Sequence, residues 1–222
     1  EKEINLAIHR NSTNKFRDFL EQLLSFMGKN IKKFIYLDDD FYYFENSKIP
    51  QYLNKSISIK ILNQLLSKKN KENRKIYIAR KNSTYRKIIN ETDLIDELKL
   101  KNFDIADTTN MSINEQIAIF SSANTIVSPT SSALTNLVFC KPGTKVLEIR
   151  PRYNYAYENI LKNRFLEVCN QLNLEYSSID ADPVISKDVN KNLNKFINPE
   201  IVNQSNYYKN LLVKLNDFKL IA

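Results

Sequence analysis

Between residues 75 and 180, short apolar runs alternate with segments whose apolar positions recur every three or four residues. KIYIAR (75–80), FDIAD (103–107), NTIVS (124–128), KVLEIR (145–150) and LEYSSI (174–179) read as strands. Residues 90–102, with Leu94, Ile95 and Leu98 at helical spacing, read as a helix behind an Asn90 or Thr92 cap. Residues 112–123 form a second helix, opened by Ser112 with Glu115 three positions on, the spacing of a capping box. Residues 131–140 and 155–171 complete the series, with a KPGT turn after the former. Strand–helix alternation with short links predicts an α/β fold, a parallel sheet with helices on both faces.

The first half is less regular but of the same kind. INLAI (4–8) and KKFIYL (32–37) read as strands around a helix over 14–27 that Gly28 ends. A tyrosine-rich stretch follows, then a helix over 57–67 and a highly charged segment, 67–74, read as a solvated helix end rather than a linker. The tail, 203–220, reads as a final amphipathic helix.

Composition narrows the function. The chain has 222 residues, 42% hydrophobic and 26% charged, ordinary for a folded domain. Gly28 and Gly143 are its two glycines, so neither G-x-G-x-x-G nor G-x-x-x-x-G-K-[ST] can be written, and glycine-rich phosphate loops are excluded. A net charge of +8 permits a polyanionic partner: nucleic acid, an anionic membrane surface or a phosphorylated substrate. The basic residues are scattered rather than gathered in a stripe, so no nucleic-acid partner is expected. Cys140 and Cys169 lie far apart without a C-x-x-C motif, which points to a reducing, cytoplasmic compartment. No apolar run reaches the length of a membrane span and no signal peptide is expected, leaving peripheral contact with the inner membrane face as the membrane role. The first residue is Glu1 rather than methionine, so a longer parent protein is an expectation.

The segment IVSPTSSALTN (126–136) lies where a strand runs through a short loop into a predicted helix. Open parallel sheets bind ligands beyond the carboxyl ends of their strands, and a helix start offers unpaired N–H groups to an anion. Ser128, Thr130, Ser131 and Ser132 add hydroxyls, and Pro129 fixes the turn. A single helix cap would need one of these hydroxyls; four within five positions fit a phosphate site. Arg80 closes its strand at the same edge and Arg86 follows on the next loop. Two guanidiniums beside a hydroxyl-rich loop fit a diphosphate.

YIARKNSTYRKIINE (77–91) and INEQIAIFSSANTIVSPTSSALTNLVFCKPGTKVLEI (113–149) together resemble glycosyltransferase family 61. The resemblance rests on Arg80, Arg86, Asn90, Glu91, Glu115, Gln116, Leu134, Thr135, Asn136, Pro142, Gly143 and Glu148, in order and spacing, from about Lys75 to Ile149. It implies a GT-B-like enzyme that moves a sugar from a nucleotide-diphosphate donor to a glycan or lipid-linked acceptor. The implied reaction is inverting and needs no metal or other cofactor, and bacterial members are associated with capsular and other surface polysaccharides. Many relatives carry a His and glycines in the loop where this chain has Thr130, Ser131 and Ser132. The implied division is a partial N-terminal α/β region (1–70), a nucleotide-sugar-binding Rossmann-like domain (71–200) and the C-terminal helix (201–222). Physics and resemblance together give a donor-binding set of Arg80, Arg86, Asn90, Glu91, Ser128, Thr130, Ser131, Ser132, Thr135, Asn136 and Glu148. Asn90 and Glu91 carry two readings, a helix cap with a first-turn acid or a pair that holds Arg86 or touches donor ribose.

Two other features compete. LDDDF (37–41) contains Asp38-x-Asp40, the pattern by which metal-dependent glycosyltransferases hold a divalent cation, although acidic turns after strands are common. The alternatives to a metal-independent transferase are therefore a metal-dependent one using Asp38 and Asp40, and a non-catalytic nucleotide- or anion-binding module. His9, the one histidine, follows a strand and is read as incidental. Inverting transfer needs a base to deprotonate the acceptor, and none stands out: Glu115 reads as a cap, and Glu91 and Glu148 read as holding loops. Tyr153 and its neighbours near the sheet edge are read chiefly as packing, with stacking on a base or sugar as a second reading.

Overall fold

The computed structural model describes residues 3–48, 59, 63, 72–81, 83–154, 159–184 and 199–216. The expected helix over 57–67 falls outside them except for Ile59, which is buried, and Asn63. The strand–helix series is present. It runs β1 (Glu3–His9), α1 (Asn14–Phe26), β2 (Asn30–Leu37), β3 (Arg74–Ile78), α2 (Glu91–Leu100), β4 (Phe103–Ala106), α3 (Ile113–Ser122) and β5 (Ala123–Pro129). A 3-10 helix (Ser132–Phe139), β6 (Lys145–Pro151), α4 (Asn159–Leu172), β7 (Glu175–Val184), α5 (Pro199–Gln204) and β8 (Asn210–Leu212) follow.

Two sheets result. β1 and β2 pair in parallel by themselves, and the larger sheet has the order β4-β3-β5-β6-β7-β8. Its pairs are parallel from β4 through β7. β8 runs antiparallel to β7, so the sheet is mixed, not wholly parallel as expected. The described part of the tail that was expected to be one amphipathic helix over 203–220 instead gives the end of the short α5, a 3-10 turn over Asn206–Tyr208 and β8, and 217–220 lie outside the described residues. Its apolar Leu211 and Val213 are one residue apart on either side of Leu212, a period of two, and both are buried while Leu212 is exposed.

The strands are apolar on both faces because both are covered. Ile76, Ile78, Ile126 and Val146 pack on one side with Ile117 and Phe120 of α3, Leu134 and Leu137, and Phe165 and Cys169 of α4. Their alternates Tyr77, Ala79, Val127 and Leu147 pack on the other side with Leu94 and Leu98 of α2 and with Leu211 and Val213 of the tail. In a chain with two glycines, asparagine takes the left-handed turns that follow two of the helices. Asn102 and Asn173 sit at φ 61° and 54° just past α2 and α4, beside Gly28 and Gly143 at 74° and 81°. Asparagine tolerates this region better than most residues.

The expected helix over 131–140 is a 3-10 helix. The Thr135 hydroxyl donates to the Ser132 carbonyl at 2.7 Å, and Leu134 N–H bonds Ser131 three residues back. Such local side-chain bonds compete with α-helical pairing. Ser131, the residue before it, makes no side-chain capping bond, so this is not the α-helix N-terminus that the sequence suggested for an anion.

Candidate functional site

The order β4-β3-β5 has a reversal of winding at β3 and β5, which leave their shared edge in opposite directions along the sheet. Loops diverge there, and a crevice opens beyond the carboxyl ends. A cleft of about 540 Å³ occupies this place. β3 contributes Arg80 and Ser83 through the loop that follows it, and the 3-10 segment contributes Ser131, Ser132, Thr135 and Asn136. Gln116 of α3 and the loop residues Thr108 and Thr109 form another wall. α1 closes the remaining side with Thr13, Phe16 and Phe19, so the β1–α1–β2 unit faces the large sheet across the cleft.

Arg80 is the cation among the described residues that line this cleft. Its Nη1 donates to the Thr130 carbonyl at 2.7 Å, which ties the end of β3 to the loop after β5. Burial, and then the charge of Arg86, bring its pKa down to about 10, which still leaves it cationic at neutral pH. Asn136 is oriented by Gln116, whose Oε1 accepts from Asn136 Nδ2 at 2.7 Å, while Gln116 Nε2 donates to the Met111 carbonyl at 3.0 Å. The Ser131 hydroxyl is buried without a hydrogen-bond partner, and Ser132 and Thr135 are exposed.

Other members of the expected donor set lie behind this surface. Ser128 is fully buried and its hydroxyl donates to the Pro129 carbonyl at 2.9 Å. Thr130 is equally buried; its hydroxyl donates to Glu148, and its N–H to the Ile149 carbonyl at 2.8 Å. Glu148 also accepts from the Tyr176 hydroxyl at 2.6 Å, so β6 braces the loop from below. Burial raises the Glu148 pKa above the ordinary carboxylate value, against the pull of its two hydroxyl donors. Glu91, in the first turn of α2, accepts from the Tyr77 hydroxyl at 2.9 Å and from Arg80 N–H at 3.3 Å. Asn90 precedes α2 without a side-chain capping bond. Its amide instead donates to the Val213 carbonyl at 2.8 Å and accepts from Val213 N–H at 3.1 Å, which fastens the tail.

Arg86 does not line the cleft. It is 4% exposed, sits at φ 56°, and its Nε and Nη1 have no hydrogen-bond partner. Its guanidinium carbon lies 4.7 Å from the centre of the Tyr85 ring and 4.2 Å from that of Tyr207. Glu115 forms the capping box with Ser112 that the spacing predicted, and those bonds lower its pKa. Asp38 is paired with Arg10 at 2.8 Å and Asp40 accepts from Phe41 N–H at 2.7 Å; both are exposed and neither lines the cleft. Among the described residues no group of three His, Cys, Asp or Glu side chains converges as metal ligands. Sequence reasoning missed the α1 wall and the tail. Both approach the site from distant parts of the chain, and no local pattern marks such contacts.

A cleft over the carboxyl edge of an α/β sheet, lined by hydroxyls and amides and holding a fixed arginine, suits an enzyme that handles an anionic substrate. The family description Glycosyltransferase 61 matches residues 13–147, more than half of the chain, from the start of α1 to the middle of β6. The protein is a glycosyltransferase. It belongs to glycosyltransferase family 61, in agreement with the resemblance read from its motifs. Comparison with curated proteins gives no match. Among the described residues no helix is long and apolar enough to cross a membrane.

Proposed function

We propose that the protein transfers a sugar from a nucleotide-diphosphate donor to a glycan or lipid-linked acceptor in surface polysaccharide assembly, with inversion and without a metal ion. The cleft is the donor site. The observation that carries this reading is the position of Arg80, half-buried and held in the cleft by the Thr130 carbonyl. Its pKa of about 10 keeps the charge in place. A fixed cation in a partly dehydrated cleft stabilises the negative charge that develops on a departing diphosphate. The Ser132 hydroxyl and the second amide N–H of Asn136 supply donors on the facing wall, and the volume suits a nucleotide-sized ligand. Gln116 orients Asn136, while Glu91, Thr130 and Glu148 keep the two loops in register. The separate β1–β2 sheet, its α1 turned to the cleft, supports a GT-B-like arrangement with residues 71–200 as the donor half and 1–70 as a partial partner half. The acceptor would enter on the α1 side. A metal-dependent reaction through Asp38 and Asp40 is disfavoured because both carboxylates are engaged locally and neither lines the cleft.

The test is calorimetric titration with UDP, GDP and CMP, each with and without Mn²⁺, on the wild type and Arg80→Ala. The expected result is metal-independent binding of one nucleoside diphosphate, weakened at least tenfold in the variant. Binding that requires Mn²⁺, or that is unchanged in Arg80→Ala, refutes the assignment.

A further inference from the structure

The family match ends at residue 147, yet the chain beyond residue 200 is built into the loop that carries both arginines. Residues 87–90 and 210–213 are laced together. Leu211 N–H donates to the Lys87 carbonyl at 2.8 Å, Ile89 N–H to the Leu211 carbonyl at 2.9 Å, and Lys87 N–H to Asn210 Oδ1 at 3.1 Å. The Asn90–Val213 pair completes the seam. The seam brings Tyr207 over Arg86 and beside Tyr85, with the two ring centroids 6.4 Å apart. Tyr207 is itself fixed edge-on by Tyr208, with ring centroids 5.0 Å apart.

Arg86 needs such support. An arginine only 4% exposed, with two guanidinium nitrogens lacking acceptors and its backbone in the left-handed region, is costly to hold. No carboxylate is paired with it among the described residues. The ring faces of Tyr85 and Tyr207, at 4.7 and 4.2 Å, are the negative surfaces it meets. Tyr85 also lies 5.7 Å from the Arg80 guanidinium, so the two arginines share one ring. Their mutual repulsion, offset only in part by Glu91 beside Arg80, adds positive charge next to the cleft, and an arriving anion relieves it.

We infer that Tyr207 is a positioning residue for the donor site: it holds the Arg86 charge beside Arg80, so diphosphate binding depends on the C-terminal segment. This rests on the donor-site reading above. Tyr207 does not touch the ligand; it acts through Arg86.

The experiment titrates inorganic pyrophosphate and the nucleoside diphosphates into wild type, Tyr207→Phe, Tyr207→Leu and Arg80→Ala, with the melting temperature of each recorded. Phe keeps the ring face without the hydroxyl, whereas Leu keeps apolar bulk without the ring. The expected result is affinity near wild type for Phe and about tenfold weaker for Leu, with a shallower salt dependence, at closely similar melting temperatures. A cation–π contact in a buried setting supports that size of effect. If Leu binds as tightly as wild type while Arg80→Ala does not, the inference is overturned and the donor site stands. If Phe and Leu lose affinity equally, the ring face is not the cause and the inference is overturned. If the wild type binds none of the ligands, the donor-site reading itself falls and this inference with it.

Discussion

Asn90→Ala separates a residue that touches ligand from one that holds the fold. Its side chain makes no helix cap, so the substitution removes no capping energy. What it removes is a two-way bond with Val213, at 2.8 and 3.1 Å. A net hydrogen bond contributes about 0.5–1.5 kcal/mol, and the loss is larger where the abandoned partner stays buried. Val213 is 3% exposed, so water does not readily replace Asn90 at its N–H and carbonyl. The expected cost is therefore about 2–3 kcal/mol, toward the upper end for two bonds. For a chain of this size that corresponds to a fall in melting temperature of about 4–12 °C. Urea unfolding followed by circular dichroism measures it, with an unchanged denaturant slope indicating that the unfolded reference is the same. A cost below about 0.5 kcal/mol would refute the reasoning. Lost nucleotide affinity at full stability would return Asn90 to the ligand surface.

Other expectations follow from the same geometry. Thr130→Val, close in shape, leaves buried Glu148 with one hydroxyl donor fewer; unfolding experiments should show a loss of about 1–3 kcal/mol, and a neutral result would contradict the bracing role. Burial holds the Glu148 carboxyl above its ordinary value of 4.5, so its folded form binds protons that its unfolded form has released. Its contribution to stability is greatest below pH 4.5 and declines as pH rises through the raised folded value. The stability of Glu148→Gln relative to wild type should accordingly improve from pH 4.5 upward, and a pH-independent difference would exclude this coupling. Chelation with EDTA should leave sugar transfer at its original rate, as should Asp40→Asn; loss of turnover in either case would favour metal chemistry at Asp38 and Asp40.

The sequence was most informative where a pattern is local. The alternation of apolar runs with helical spacing determined β3 to β7 and the helices between them, because burial on both faces demands apolar strands. The Ser112–Glu115 box forms within one helical turn, so the residues alone identify it. The arginines and the family motifs were legible for the same reason. Tertiary structure decided the rest. Hydroxyls at 128 and 130 look alike in sequence to those at 131 and 132, but Ser128 is spent on the Pro129 carbonyl and Glu148 captures Thr130 from a neighbouring strand. Arg80 and Arg86 look equivalent as well. One reaches the cleft, and the other is buried against Tyr85 and a tyrosine 121 positions away, a separation at which no sequence period carries information. The tail illustrates the limit most plainly: its residues suit an amphipathic helix, and β8 forms instead because the unpaired edge of β7 and the loop over 87–90 offer it hydrogen bonds that an isolated helix would not have.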